Sequence, residues 1–167
     1  SYEKFGSRFD VWLMESDFYG KAKPIIESGL KKGVFVRESD NSIKAKLEQH
    51  GLPDKIILRS DGTSLYITND LAVTKYKFEH FGLDEAYWVV ASEQDLYLKQ
   101  LFLVFKLLGE RWADKCKHIS YGMVFLPEGK LKSREGIVID ADDLIAEMEA
   151  LAEKEVKARH PELAQDE

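Results

Sequence analysis

At 167 residues the chain has the length of one domain or most of one, enough to bury a core. A hydrophobic fraction of 44% and a charged fraction of 32% are ordinary for a globular protein, and a net charge of −6 argues against a generally basic nucleic-acid binder. The lone Cys116 excludes an internal disulfide framework and, with no signal peptide and no apolar run long enough for a membrane span, the chain reads as cytoplasmic. It begins at Ser1 rather than Met, which reads as a piece of something longer.

In chain order, "RFDVWLMESDF" opens with a short strand through Val11–Met14, followed by a helix capped by Ser16 or Asp17 and running to Leu30. Lys31–Ser39 is a Gly-punctuated strand with alternating valines. Asn41 or Ser42 caps a second helix, "IKAKLEQHG", that Gly51 ends. "DKIILRSDG" reads as a buried strand entering a turn, and "SLYITND" as a short extended piece. "LAVTKYKFEHFG" has helical spacing and stops at Gly82.

Glu85–Ser92 is apolar enough for a strand buried on both faces. "EQDLYLKQLFLVFKLLGE" is a long helix with a stripe at Leu96, Leu101, Val104, Phe105 and Leu108. "HISYGMVFL" reads as another buried strand, and "LPEGKLKSREG" as a basic loop. "DADDLIAEMEALAEKEVKARH" starts acidic and ends basic, as the helix dipole favours, with Leu144, Met148 and Leu151 on one face. The residues after Pro161 read as a disordered tail. Strands alternating with helices imply an α/β fold with a mainly parallel sheet and flanking helices. Ligands of such sheets bind outside the carboxyl ends of the strands, so Tyr66–Asp70, Ser92–Asp95 and Pro127–Gly136 are the segments to watch.

Three segments, "RSDGTSLYITNDLA", "VVASEQDLYLKQLF" and "HISYGMVFLPEGKLKSREG", in this order and spacing closely resemble the later part of the catalytic domain of arginyl-tRNA synthetases. The resemblance runs from Arg8 to about Leu151. It implies a partial Rossmann-like nucleotide-binding fold of the class I synthetases, with residues 1–139 its second half. Residues 140–160 would lead toward an anticodon-binding domain. It also implies an ATP-dependent reaction: the arginine carboxylate attacks the α-phosphate of ATP, and the arginyl group then passes to tRNA(Arg). Magnesium would enter with ATP, held mainly by phosphate oxygens. L-Arginine, ATP and tRNA(Arg) are the implied partners, with no membrane.

In that family the guanidinium is held by a Y-x-x-x-D pattern, matched by Tyr66 and Asp70. A guanidinium is a planar fork of donors that a carboxylate accepts bidentately. The plain structural alternative makes Asp70 the cap of a helix beginning at Leu71 and Tyr66 a half-buried strand aromatic. Gln94 and Glu15 match further arginine contacts, while Asp17 stays a helix-capping candidate. His118, Gly122, Met123 and Val124 match the segment beside the adenine, with a buried core histidine as the alternative for His118. The loop matches the K-M-S-K-S position, where Lys130, Lys132, Ser133 and Arg134 would stabilise the triphosphate in the transition state. Leu131 and Glu135 depart from its pattern. In the G-x-E-Q-x-x-H segment Ala91 replaces Gly and Tyr97 replaces His, at positions the family places near the ribose.

The H-I-G-H signature of the first half does not occur among His50, His80, His118 and His160. The resemblance therefore implies a chain inactive by itself, with a sheet that exposes an edge and an apolar face and tends to self-associate. The alternative is a non-catalytic paralogue that binds arginine, a nucleotide or a protein partner, or a minimal fragment with weak activation. No His/Cys pair has metal-ligand spacing. Cys116 reads as structural, the pairs Asp142/Asp143 and Glu147/Glu149 as a solvated helix face, and Trp12, Trp88 and Trp112 as core.

Overall fold

The structure, a computed structural model, describes residues 2–123, 125–126, 129–130 and 140–160. It divides into two compact units, residues 13–123 and residues 1–12 with 124–167.

In the larger unit a 3-10 turn, Glu15–Phe18, precedes helix α1, Lys23–Lys31. The expected strand at Val11–Met14 is absent, and neither Ser16 nor Asp17 caps a helix. Pro24 sits in the first turn of α1, where its fixed φ suits a helix start and its missing N–H costs nothing. Ile25, Ile26 and Gly29 form the buried face of α1. Gly29 is required by contact: a Cβ there would collide with the ring of Phe35, itself fully buried.

Strands β1 (Phe35–Arg37), β2 (Ile43–Ala45) and β3 (Lys55–Leu58) form an antiparallel meander in that order. The helix expected over "IKAKLEQHG" is therefore strand β2 followed by a 3-10 turn, Glu48–His50. Ile43, Ala45 and Leu47 are buried at every second position, the period of a strand, while Lys44 and Lys46 turn outward to Glu38. Asn41 and Ser42 belong to the hairpin turn rather than a helix cap. Asp40 Oδ1 accepts from Ser42 N (2.9 Å) and Ser42 Oγ (2.6 Å), and Asn41 takes a left-handed φ of 68°. Gly51 does hold a left-handed terminus, φ 80°, as expected.

Helix α2 spans Tyr66–Phe81 and swallows the segment expected to be extended. Thr68 explains the difference. Its Oγ accepts from Leu65 N (3.0 Å) and donates to the Ile57 carbonyl of β3, so one hydroxyl caps the helix and ties it to the sheet. Gly82 ends α2 in the left-handed region, φ 57°.

Strand β4 (Ala86–Ala91), helix α3 (Asp95–Leu108) and strand β5 (Cys116–Tyr121) form a β-α-β unit with β4 and β5 parallel, Ala86 opposite Cys116 through Ala91 opposite Tyr121. The α/β class with helices flanking a parallel sheet holds here, with the antiparallel meander added beside it in the chain. Burial on both faces does not hold. Trp88 packs against the core, whereas Tyr87, Val89, Ile119 and Tyr121 are exposed, leaving one face of the pair open and apolar. In α3 the buried stripe is Leu98, Leu101, Val104, Phe105 and Leu108; Leu96 is exposed. Trp112 packs on Phe78 and Phe105, and buried Cys116 has its thiol pushed up to about 12 by burial, in keeping with a structural role.

In the smaller unit, β6 (Phe125–Leu126) and β7 (Gly129–Lys130) pair antiparallel, and α4 spans Ala141–Arg159. Asp140 caps α4 by accepting from Asp142 N at 2.7 Å. Leu144, Met148 and Leu151 are exposed along α4. Trp12, expected in the core, is 61% exposed and packs edge-on against Phe9 and Tyr2. The expected tail, 161–167, lies outside the described residues.

Candidate active-site cleft

At the carboxyl end of β4, where the chain turns through Ser92–Gln94 into α3, lies a cleft of about 630 Å³. Its walls include Lys55, Tyr66, Asp70, Trp88, Gln94 and Tyr97, drawn from β3, α2, β4, the turn before α3, and α3 itself. Tyr66 and Asp70 stand four residues apart on α2, one above the other on the same face. Tyr66 is 78% exposed at the mouth, not half-buried in a strand. Asp70 lies one turn further in and caps nothing; Leu65 and Thr68 make that helix start.

The Asp70 carboxylate accepts from the Tyr97 hydroxyl. Burial raises its pKa above the ordinary carboxylate value; the Tyr97 hydrogen bond and Lys77 pull it down, while Glu15 adds to the rise. The Tyr97 phenol is in turn pushed up by burial and by the adjacent carboxylate. Tyr97 thus shares the cleft with Asp70, whereas the family pattern put its position near a ribose. Lys55, whose ammonium sits 5.2 Å from the centre of the Tyr97 ring, is a further residue of the cleft wall. A lone lysine at the start of a strand carries no sequence signal of a site.

Glu15 does not line the cleft. It reaches α2 through Asn69, whose Nδ2 donates to Glu15 Oε1 at 2.7 Å, so it buttresses the helix beside Asp70. Gln94 lines the cleft and occupies the position just before α3.

Around the end of β5, Ser120 Oγ donates to Asp95 Oδ1 at 2.8 Å, and His118 Nδ1 lies 3.4 Å from the same oxygen. His118 Nε2 lies 3.0 Å from the Val90 carbonyl. Both ring nitrogens face protein acceptors, so the side chain ties β5 to β4 and α3. Gly122 follows β5 with open space where a Cβ would be. Met123 comes next; Val124 lies outside the described residues, as do Lys132, Ser133 and Arg134. Lys130 belongs to β7 of the other unit, paired with Phe125.

The whole chain, residues 1–167, matches the family model described as tRNA synthetases class I (R), catalytic domain. The arginine–tRNA ligase of Treponema pallidum is 43% identical over 164 residues, which cover 98% of this chain and 28% of that protein. That of Flavobacterium psychrophilum is 44% identical over 155 residues, covering 92% and 26%. The chain therefore spans little more than a quarter of the length of these curated relatives. Among solved structures, the arginyl-tRNA synthetase of Thermus thermophilus matches with a TM-score of 0.72 at 19% identity, over 95% of this chain and 33% of that one. That of Plasmodium falciparum matches at 0.63 and 18%, over 92% and 27%. At these identities the structural likeness speaks for the fold. By its sequence, the chain belongs to the class I arginyl-tRNA synthetase catalytic-domain family.

Proposed function

We propose that this chain supplies the amino-acid half of the activation site of an arginine–tRNA ligase. The observation that carries the reading is the cleft in which a half-buried carboxylate, Asp70, faces Tyr66, Gln94 and Tyr97. An acidic group recessed among aromatic and aliphatic walls suits a planar cation: partial desolvation strengthens the charge-assisted hydrogen bond, and the aromatic faces accept the guanidinium plane. Gln94, with both a carbonyl and an amide, is suited to the polar backbone end of the amino acid.

With arginine anchored by its side chain, its carboxylate attacks the α-phosphate of ATP, the bond to pyrophosphate breaks, and arginyl-adenylate forms. A hydroxyl at the 3′ end of tRNA(Arg) then attacks the arginyl carbonyl, the acyl–phosphate bond breaks, and AMP leaves as the ester forms. In this reading the adenine lies along His118, Gly122, Met123 and Val124. Because the His118 side chain is already held by Val90 and Asp95, backbone groups after β5 are left to meet the base, and Gly122 leaves room for close approach. Lys130, Lys132, Ser133 and Arg134 would stabilise the charge that shifts onto pyrophosphate, with magnesium carried in on ATP. The chain by itself is inactive in this reading, and the whole enzyme works in the cytoplasm. Among the described residues no helix is long and apolar enough to cross a membrane.

An NMR titration of the chain with L-arginine, with lysine as control and then ATP, tests the reading. Shifts at Tyr66, Asp70 and Gln94 that lysine does not reproduce are expected. D70N is expected to weaken arginine binding about 30-fold or more, the usual cost of removing one partner of a buried charged pair, while ATP binding persists. A folded chain that does not respond to arginine, or equal loss of both ligands in D70N, overturns it.

A further inference from the structure

The Asp70 carboxylate has two oxygens, and Tyr97 has already engaged one of them, Oδ2. No second hydrogen bond from the described residues reaches this carboxylate. The free oxygen, Oδ1, is therefore what the cleft offers a cation directly. The Tyr97 oxygen, having given its proton to the hydrogen bond, still has lone pairs and stands next to that carboxylate. The ring is braced by packing against the main core and by the Lys55 ammonium over it.

Resting on the arginine reading of this cleft, we propose that Tyr97 is a specificity-determining residue: it holds the Asp70 carboxylate in place and supplies the second acceptor for a guanidinium. One N–H of the cation meets Asp70 Oδ1 and the other meets the phenol oxygen. The planar fork thus spans a carboxylate and a phenol instead of the two oxygens of one carboxylate. An ammonium, which acts as a point charge, is satisfied by the carboxylate oxygen alone and gains less from Tyr97. The charged or titratable groups around Asp70 are Tyr97 from α3, Lys77 from α2 and Glu15 from the 3-10 turn, with Lys55 of β3 lining the same cleft.

Y97F tests this in two measurements on the full chain. The first, without ligand, follows the carboxyl carbon of Asp70 by NMR as pH is varied. Removing the hydroxyl leaves burial less opposed, so the Asp70 midpoint is expected to move upward; an unchanged midpoint overturns the hold of Tyr97 on Asp70. The second compares arginine and lysine affinity in wild type and Y97F across pH. Arginine is expected to bind roughly tenfold more weakly to Y97F, the usual scale for one lost hydrogen bond to a charged group. Lysine is expected to lose less, and arginine binding to set in at higher pH. Equal loss for both ligands, or a loss independent of pH, means Tyr97 only packs and overturns the proposal. Absence of arginine binding in the wild type overturns the arginine reading and the acceptor role together, and the first measurement still decides the hold on Asp70.

Discussion

Asp70 combines two opposed demands in one side chain. Burial raises its pKa, so folding makes its ionisation harder, yet holding a cation requires it ionised. The sign follows directly. A carboxyl whose folded pKa lies above its unfolded value binds protons more tightly when folded, so stability falls as pH rises through that window. D70N, which cannot ionise, is expected to gain in melting temperature relative to wild type as pH rises through that window, while it removes arginine binding; calorimetric scans of both proteins across pH check this. Asp54 behaves in the opposite way. Burial opposes its ionisation, but Leu47 N at 2.8 Å, Lys46 Nζ at 3.1 Å and Glu48 N at 3.2 Å all donate to it and hold its pKa below the ordinary value. Its contribution is present above the unfolded carboxylate value and is lost as pH falls through the lowered one. D54A is expected to cost about 1–2 kcal/mol at pH 7, with the penalty shrinking below about pH 4, as read by urea unfolding at several pH values.

At the scale of elements, Gly29 and Thr68 do work that no propensity table assigns to them. An alanine at Gly29 would gain helix propensity of about 1 kcal/mol, but its methyl would drive into the Phe35 ring, which is fully buried and has nowhere to swing. G29A is expected to destabilise by about 2 kcal/mol net, a drop in melting temperature of roughly 5 °C, visible by circular dichroism. Thr68 shows why "SLYITND" reads as extended and folds as helix. Leu-Tyr-Ile-Thr is rich in residues that favour strands, yet the hydroxyl at the third helical position satisfies the Leu65 N–H and anchors to β3. The helix start is what brings Tyr66 and Asp70 onto one face, so the site depends on an element that local preference argues against. The meander is hidden for a different reason: Ile43, Ala45 and Leu47 alternate as a strand does, but the residues that could cap a helix before them and the glycine after them favour a helix.

For the whole molecule, the open face of the parallel pair is the main liability. Val89 is 61% exposed, and Tyr87, Ile119 and Tyr121 accompany it across both strands of a two-stranded sheet whose outer edges are unpaired among the described residues. The isolated chain is expected to self-associate with rising concentration, and the double substitution V89K/I119K to suppress this without changing the circular dichroism spectrum. Sedimentation velocity over a concentration series decides it, and a concentration-independent monomer in the wild type would count against a sticky face. The two compact units divide the chain near residues 12 and 123, and helix α4 falls in the same unit as the N-terminal residues.

By itself the sequence suffices for the family, the α/β class, the β4–α3–β5 unit and the glycine stops at Gly51 and Gly82, and it singles out Tyr66, Asp70 and Gln94 as candidates, with Tyr97 expected at a ribose instead. Those are matters of residue type and spacing, which a chain carries without folding. Tertiary structure alone decided that Tyr66 and Asp70 share a helix, that Tyr97 turns its hydroxyl to Asp70, that Lys55 closes over the ring, and that β4 is covered on one face only. Each of those depends on contacts between segments distant in the chain, where the packing partner sets both conformation and exposure, and neither local propensity nor motif spacing contains that partner.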